Sequence, residues 1–164
     1  MANYNFQSDA YALRYEAPGF VILKKRIDIP AMIANQSLGQ PLFDDNGNVL
    51  SLPSTGFSNT NSDILRVFKV PAGTLITVCG ALVVTVEGGA ATFDFGDGND
   101  PNGFIAAVNL NSAVSEITQV ADGYGGDNVE GVLYDAEASL DIVWGTDATA
   151  VAVFDIFAMA CKVY

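Results

Sequence analysis

The chain has 164 residues, of which 50% are hydrophobic and 16% charged, and its 19 acidic and 7 basic residues give a formal net charge of −12. That length suits one domain, and the charged fraction is low against the roughly 25% of typical soluble proteins, so we expect a very apolar core or a surface that partners cover. A chain this acidic lacks the basic surface that displaces counterions from phosphates, which argues against nucleic acid as a partner.

Histidine is absent from the sequence. Its absence removes the Ser-His-Asp and Cys-His arrangements of nucleophilic catalysis, most zinc sites and the commonest general base near neutral pH. No other catalytic motif is present, and nothing singles out two of the many carboxylates as an acid–base pair. We therefore predict that the protein is not an enzyme and has no catalytic residues, cofactor or metal site.

Membrane insertion and secretion are not expected either. The longest apolar candidate, residues 148–164, is interrupted by Asp155 and falls short of the roughly 18 residues that a membrane helix needs. The first twenty residues contain charged and amide side chains and no apolar stretch of the kind found in signal peptides.

Residues 1–62 are polar and irregular and are predicted to form an extended N-terminal arm. Residues 19–30 indicate one strand, which Pro30 ends because proline cannot donate to a ladder. From residue 31 the periodicity is lost, and residues 35–62 are predicted to be a long loop that lies along a surface. The arm begins with aromatic residues that suit either a local core strand or anchors in a pocket of another subunit, and these are the candidate interface residues: Tyr4, Phe6, Tyr11, Tyr15 and Phe20.

One basic cluster, Lys24-Lys25-Arg26, falls inside the predicted strand of the arm. Three interpretations remain open at this stage. The cluster suits a solvated turn or sheet edge, a contact with an acidic neighbouring subunit, or, least of all, a contact with DNA.

Residues 63–164 are a succession of strand patterns between turn signals, which predicts an all-β fold, a β-sandwich or jelly roll, within a single domain. Gly80 suggests a bulge in mid-strand, and residues 102–108 resemble a single helical turn. The last strand is apolar on both faces, which predicts burial on both sides or a subunit contact. The predicted strands are 64–70, 74–87, 91–95, 114–120, 131–134, 138–144 and 150–163.

Two loops combine acidic residues with glycine. Residues 94–103 could supply oxygen ligands to Ca²⁺, but their spacing does not fit an EF-hand, and a turn in which Asp and Asn cap their own backbone is the favoured interpretation. Residues 122–130 fit no phosphate-binding motif and are predicted to be a flexible loop.

The two cysteines, Cys79 and Cys161, each lie in a dense apolar strand. Buried reduced thiols are favoured, because a free cysteine packs as a small hydrophobic residue and no secretory signal is present. A disulfide between them stays open.

Several stretches together resemble small virion structural proteins of tailed bacteriophages, cyanophage-like ones included. They are ILRVFKVPAGTL from Ile64 to Leu75, ATFDFGDGNDP from Ala91 to Pro101 followed by Phe104, LDIV from Leu140 to Val143 and VAVFDIF from Val151 to Phe157. The resembling proteins sit on the outer face of the capsid as decoration or cement proteins.

The resemblance implies a jelly roll or related sandwich, grouped as a trimer at threefold and quasi-threefold positions. It also implies that the chain binds the major capsid protein on the outer surface of the virion and stabilises the shell by bridging neighbouring capsomers. The acidity of the chain suits such an exterior position better than one against packaged DNA. The alternatives are another virion component, such as a tail-tube, head-fibre or tail-associated protein, and a calcium-dependent binding module that uses the loop from Asp94 to Asp100.

Overall fold

Runs of alternating apolar residues fold as strands along most of the chain. The structure, a computed structural model, describes residues 3–5, 20–37, 42–43, 49–50, 64–111, 115–119, 131–146 and 149–163. In chain order the elements are β1 (Asn3–Asn5), β2 (Phe20–Asp28), α1 (Ile29–Ser37), β3 (Leu42–Phe43), β4 (Val49–Leu50), β5 (Ile64–Val70), β6 (Thr74–Thr85), β7 (Thr92–Asp97), β8 (Ile105–Asn109), β9 (Ser115–Gln119), β10 (Val132–Tyr134), β11 (Ala138–Thr146) and β12 (Val153–Lys162).

The described strands form two sheets. A seven-stranded sheet has the order β4-β3-β1-β5-β11-β7-β8, and a five-stranded sheet has the order β10-β6-β12-β2, with β9 paired to β6 beside β10. Successive long strands pass between the sheets, so that β11 lies between β5 and β7 while β12 lies between β2 and β6. This interleaving is the double Greek key of a jelly roll, and the predicted all-β sandwich is confirmed.

The core lies between the two sheets. Leu65 of β5 pairs with Ile142 of β11, and both side chains are fully buried. Three aromatic rings occupy one end of the core: the rings of Phe93 and Phe154 stack with centroids 4.8 Å apart, and Trp144 meets the ring of Phe154 edge-on at 6.2 Å. Such contacts add specificity to the area that aromatic residues bury.

Helix α1 begins where the sequence predicted only the end of a strand. Asp28 Oδ1 accepts a hydrogen bond of 2.9 Å from the amide of Ala31, which is an N-cap, and Pro30 falls in the first turn, where its missing donor costs nothing. Ile29 and Met32 are buried in the core. The prediction that periodicity is lost from residue 31 was therefore wrong for residues 31–37.

Strand β2 is part of the sandwich, because all nine of its residues pair with β12. Residues 1–62 thus hold a helix and the strands β1, β3 and β4 as well as β2, the one strand predicted there, so the interpretation of one strand and a long loop is corrected. A boundary at residue 62 stays a prediction.

Two local predictions were also wrong. Residues 105–109 form β8, paired with β7, and not a helical turn. Ile105 and Val108 are both buried at a helix-like spacing because the pairing with β7 shifts register between them, and Ala107 has a φ of 52°. Gly80 pairs regularly with Phe157, and the irregularities of β6 lie at Val84 and Thr77.

Candidate interaction surface

The outer side of the five-stranded sheet is the candidate interaction surface in the described part of the chain. Side chains that alternate with the buried ones on β2, β6, β10 and β12 point away from the core. We call this side the apolar face. Its described residues include Phe20, Ile22, Lys24, Arg26 and Asp28 from β2, Leu75, Val78 and Leu82 from β6, Leu133 from β10, and Asp155, Phe157, Met159 and Cys161 from β12.

Large hydrophobic side chains on this face reach solvent. Phe20 is 57% exposed, Ile22 49%, Leu133 44% and Leu82 39%. Among the described residues, four more large hydrophobic side chains are exposed: Val84, Val86, Val151 and Val163. All eight belong to a strand of this sheet or lie within two residues of one. Contiguous exposed apolar surface on one side of a small domain marks an interaction site.

A charged cluster lies towards one end of the apolar face, on β12 and the edge strand β2. Asp155 of β12 pairs directly with Arg26 of the edge strand β2. Its carboxylate accepts two hydrogen bonds from the Arg26 guanidinium, one of 2.8 Å from Nε and one of 3.0 Å from Nη2. The same carboxylate lies 3.0 Å from Lys24 Nζ. A bidentate guanidinium–carboxylate contact of this kind is among the stronger hydrogen-bonded pairs.

The cluster is layered, with the anion beneath the cations. The Asp155 side chain is 4% exposed, whereas those of Lys24 and Arg26 are 58% and 57% exposed. The hydrogen bonds from Arg26, helped by Lys24 and opposed by burial, hold the pKa of Asp155 below its ordinary value. Because the carboxylate stays ionised and covered, the charges that an approaching surface meets here are positive.

The predicted basic cluster is therefore split by the pleat of β2. Lys24 and Arg26 lie on the apolar face, on the strand at the edge of the described sheet, a position that suits both a solvated sheet edge and a contact with a neighbouring subunit. Lys25 points to the opposite side of the strand and is buried. The sequence alone could not reveal the role of Asp155, because its partner Arg26 is 129 positions away along the chain.

The outer side of the seven-stranded sheet, which we call the polar face, has a different composition. Its side chains include Arg66 and Lys69 from β5, Asp94 from β7, Asn109 from β8, and Ser139 and Asp141 from β11, together with the half-buried Ile64 and Val143.

Lys69 pairs with Glu137 at 2.7 Å on this side, and both side chains are exposed. Asp141 faces Arg66 across the ladder and is buried, and this burial raises the pKa of Asp141 despite Ser139 and Arg66.

The segment from Asp94 to Asp100 is the end of β7 followed by a turn that the Asp97 carboxylate holds. Asp97 Oδ1 accepts hydrogen bonds from the amides of Asn99 and Asp100 at 2.8 and 2.9 Å, and Oδ2 accepts one from the Tyr134 hydroxyl at 2.7 Å. Because both oxygens are engaged with the protein, the turn interpretation is confirmed and Asp97 ties the two sheets together. In the described part of the chain, no three His, Cys, Asp or Glu side chains are grouped as a metal site. The loop at 122–130 lies outside the described residues.

Gly96 shows how the same loop covers the polar face. A Cβ at Gly96 would collide with the backbone of Asp100 and Pro101, so this part of the loop lies directly against β7. Gly96 pairs with Asp141 in β11, which explains how a carboxylate on an outer sheet face comes to be buried.

Of the predicted interface aromatics, the structure describes one side chain. Phe20 opens β2 and lies at the corner of the apolar face. Tyr4 is in β1, which pairs in parallel with β5, and its side chain is not among those described. Phe6, Tyr11 and Tyr15 lie outside the described residues. The other exposed members of the face, Ile22, Leu82 and Leu133, were not predicted as interface residues, although strict alternation on β2 is a usable signal for Ile22.

The two cysteines are free, as favoured from the sequence. Cys79 is fully buried on the inner side of β6, and burial raises the pKa of its thiol. Cys161 is half-buried on the apolar face, so the expectation that it is buried is corrected. Because the two residues lie on opposite sides of one sheet, no disulfide joins them.

The comparisons with known proteins yield one informative match. No protein-family model matches the sequence, and no curated protein does. As a separate observation, the described part of the chain contains no helix with the length and apolar character that spanning a membrane requires. The chain is similar in structure to a chain of the solved "Capsid of Ralstonia phage GP4", with a TM-score of 0.56 over 98% of each chain and 13% sequence identity. At that identity the likeness shows a shared fold.

Proposed function

We propose that the chain is a virion structural protein that decorates a capsid, binding the outer surface of the shell as a cement protein and bridging neighbouring capsomers. The observation that carries the proposal is the likeness, over 98% of both chains, to a chain from the capsid of Ralstonia phage GP4. The sequence resemblance to decoration proteins of tailed phages supports the same role. Both point to a chain whose function is to be held in an assembly.

Surface chemistry supports the proposal independently. A decoration protein must remain soluble before assembly and must then offer a large contact surface. The net charge of −12 favours solubility and an exterior position away from packaged DNA, and the apolar face supplies contact surface. Its proposed partners are the major capsid protein and further copies of itself in a trimer. Neither nucleic acid nor membrane is a partner in this proposal.

A non-catalytic role is part of the proposal. The lack of histidine removes the usual nucleophile–base arrangements, and the most conspicuous carboxylate, Asp97, is occupied by structural hydrogen bonds. A decoration protein requires contact surfaces and does not require a catalytic site.

Electron cryomicroscopy of virus particles that contain this chain tests the location. We expect jelly-roll density on the outside of the shell, bridging adjacent capsomers. Density along the tail or in a head fibre would assign the chain to another virion component, and absence of the chain from purified particles would overturn the proposal.

The N-terminal aromatics provide a second test. We propose that Tyr4, Phe6, Tyr11, Tyr15 and Phe20 contribute to attachment. A chain that lacks residues 1–20 loses all five of these residues, keeps the strands from β2 onward except for Phe20 at the start of β2, and is expected to fold and to bind shells more weakly. Aggregation of this truncated chain would show instead that the missing aromatics belong to the core.

A further inference from the structure

We propose that the apolar face binds the shell protein, at a surface that is itself apolar and presents carboxylates to Lys24 and Arg26. This inference rests on the proposed function and adds which side of the sandwich docks and which chemistry it recognises. Three observations carry it: the exposed apolar side chains, the layered charge cluster, and the charge of the rest of the chain.

The apolar part of the face has the make-up of an interface centre. Phe20, Ile22, Leu82 and Leu133 are exposed around the half-buried Phe157 and Met159. Interface centres are depleted in charge and enriched in aromatic residues and methionine, and this face combines both with a single charged cluster. Burying such side chains removes apolar surface from water, which gives binding its driving force.

The charge cluster indicates what kind of surface docks. The chain has 7 basic residues in all, and Lys24, Lys25, Arg26 and Lys162 lie on the adjacent strands β2 and β12. Asp155 is covered and Asp28, at the end of the face, caps α1, so Lys24 and Arg26 carry the exposed charge. Arg26 uses two of its five N–H donors on Asp155, and a carboxylate of the partner can accept others.

Asp155 also reduces the entropic cost of that recognition. Two long side chains that rotate freely lose rotamer freedom when a partner binds, and this loss opposes binding. Here the buried carboxylate already holds the Arg26 guanidinium at 2.8 and 3.0 Å and the Lys24 ammonium at 3.0 Å. The cations are thus presented in place on an apolar sheet.

A second copy of the chain fits this face less well than the shell protein. In a twofold contact the same face of each copy meets, so Lys24 and Arg26 of one copy approach those of the other. The trimer of the proposed function is assigned to other surfaces of the chain, so that this face stays open to the shell protein.

Binding to shells prepared without this chain tests the inference with a matched pair of variants. Ile22→Asp places a carboxylate among the exposed apolar side chains of the apolar face, and Ala106→Asp places one at an exposed position of β8 in the other sheet. In cosedimentation we expect Ile22→Asp to weaken binding by at least about tenfold and Ala106→Asp to change it by less than about twofold. Thermal melts establish that both variants are folded.

Lys24→Glu tests the electrostatic part. Wild-type binding is expected to weaken as salt rises from about 50 to about 500 mM, and Lys24→Glu is expected to bind more weakly with a smaller salt dependence. Wild-type binding that salt leaves unchanged would overturn the claim that carboxylates of the partner meet this face.

The outcomes separate this inference from the proposed function. If wild-type chain does not bind shells, both fail. If Ile22→Asp binds shells as wild type does, decoration stands and this docking face is wrong. If Ile22→Asp dissociates an oligomer of the free chain and leaves shell binding intact, a second copy occupies the face. If the thiol of Ile22→Cys in the free chain reacts no faster than buried Cys79, another segment of the same chain covers the face. Occupation of the face by a second copy or by another segment of the chain would each overturn the inference.

Discussion

The two outer surfaces of the sandwich are opposites. Both sheets turn apolar side chains inward, but the polar face presents Arg66, Lys69, Asp94 and Asp141 and is partly covered by the loop after β7, whereas the apolar face leaves Phe20 and Ile22 open. The high hydrophobic fraction of the chain therefore has two destinations. Part of it makes the core, and the surplus lies on one side, where a partner can cover it.

The largest expected effect is the difference in stability between removing a phenylalanine ring from the core and removing one from the apolar face. Phe154 is fully buried against Phe93 and Trp144, so Phe154→Ala is expected to lower the free energy of unfolding by about 3–5 kcal/mol. Phe20→Ala removes the same ring from an exposed position and is expected to cost less than about 1 kcal/mol. Urea unfolding with an unchanged m value measures both. Equal losses would mean that Phe20 is a core residue and that the apolar face is not open.

The next effect concerns the loop that covers the polar face. Gly96→Ala forces a Cβ into the backbone of Asp100 and Pro101 and is expected to cost about 1–3 kcal/mol. Gly98→Ala, two residues on, meets open space and is expected to stay within about 0.5 kcal/mol of wild type. Thermal unfolding of the pair measures the difference, and a Gly96→Ala protein as stable as Gly98→Ala would show that the loop does not rest on β7.

A smaller, pH-dependent effect distinguishes Asp155 from Asp141, two buried aspartates whose pKa values are shifted in opposite directions. The folded-state pKa of Asp155 is lowered, so its ion pairs stabilise the protein above the ordinary value of 3.8, and this stabilisation is lost as pH falls through the lowered pKa. The folded-state pKa of Asp141 is raised, so its ionised form destabilises the protein above that pKa, and this cost disappears as pH falls towards 3.8.

Asparagine at each position tests the contrast. At pH 7, Asp155→Asn is expected to lose about 1 kcal/mol, a loss that fades in acid below pH 3.8. Relative to wild type, Asp141→Asn is expected to become more stable as pH rises above 3.8. Urea unfolding from about pH 3 to pH 7 follows both. Parallel pH profiles for the two variants would contradict the assignment of opposite pKa shifts.

The smallest effect is chemical. In the folded free chain, a thiol reagent is expected to modify Cys161, which is half-buried on the apolar face, and to spare Cys79, which is buried and whose thiol has a raised pKa. Cys161→Ser is expected to abolish the modification of folded protein. Two reactive thiols in the native state would place Cys79 outside the core.

The sequence was most informative where the alternation of apolar residues agrees with the strand pairing of the structure. The bounds of β5 and the shared inner side of Leu140, Ile142 and Trp144 follow from alternation, and all three of these side chains are buried. Helix α1 was missed because Pro30 was taken only as a strand breaker, although Asp28 ahead of it is an N-cap signal.

The candidate interaction surface was predictable only in part. The apolar outer side of β12 could be predicted, since both sides of that strand are apolar, and Phe20 was among the predicted interface residues. The meeting of Asp155 with Arg26 and Lys24 depends on which distant strands become neighbours, and Leu82 and Leu133 join the face for the same reason. Strand order is a property of the whole chain, which local patterns do not contain.

One measurement tests the central claim directly: the rate at which thiols on the two outer faces react in the free chain and in the intact particle. Cys161 reports on the apolar face, and Ala106→Cys, made with Cys161 replaced by serine, reports on the exposed β8 of the other sheet. The account predicts that Cys161 reacts in the free chain and is protected in the particle, while the thiol at position 106 reacts in both. Equal reaction of Cys161 in both states, or protection of position 106 alone, would contradict it.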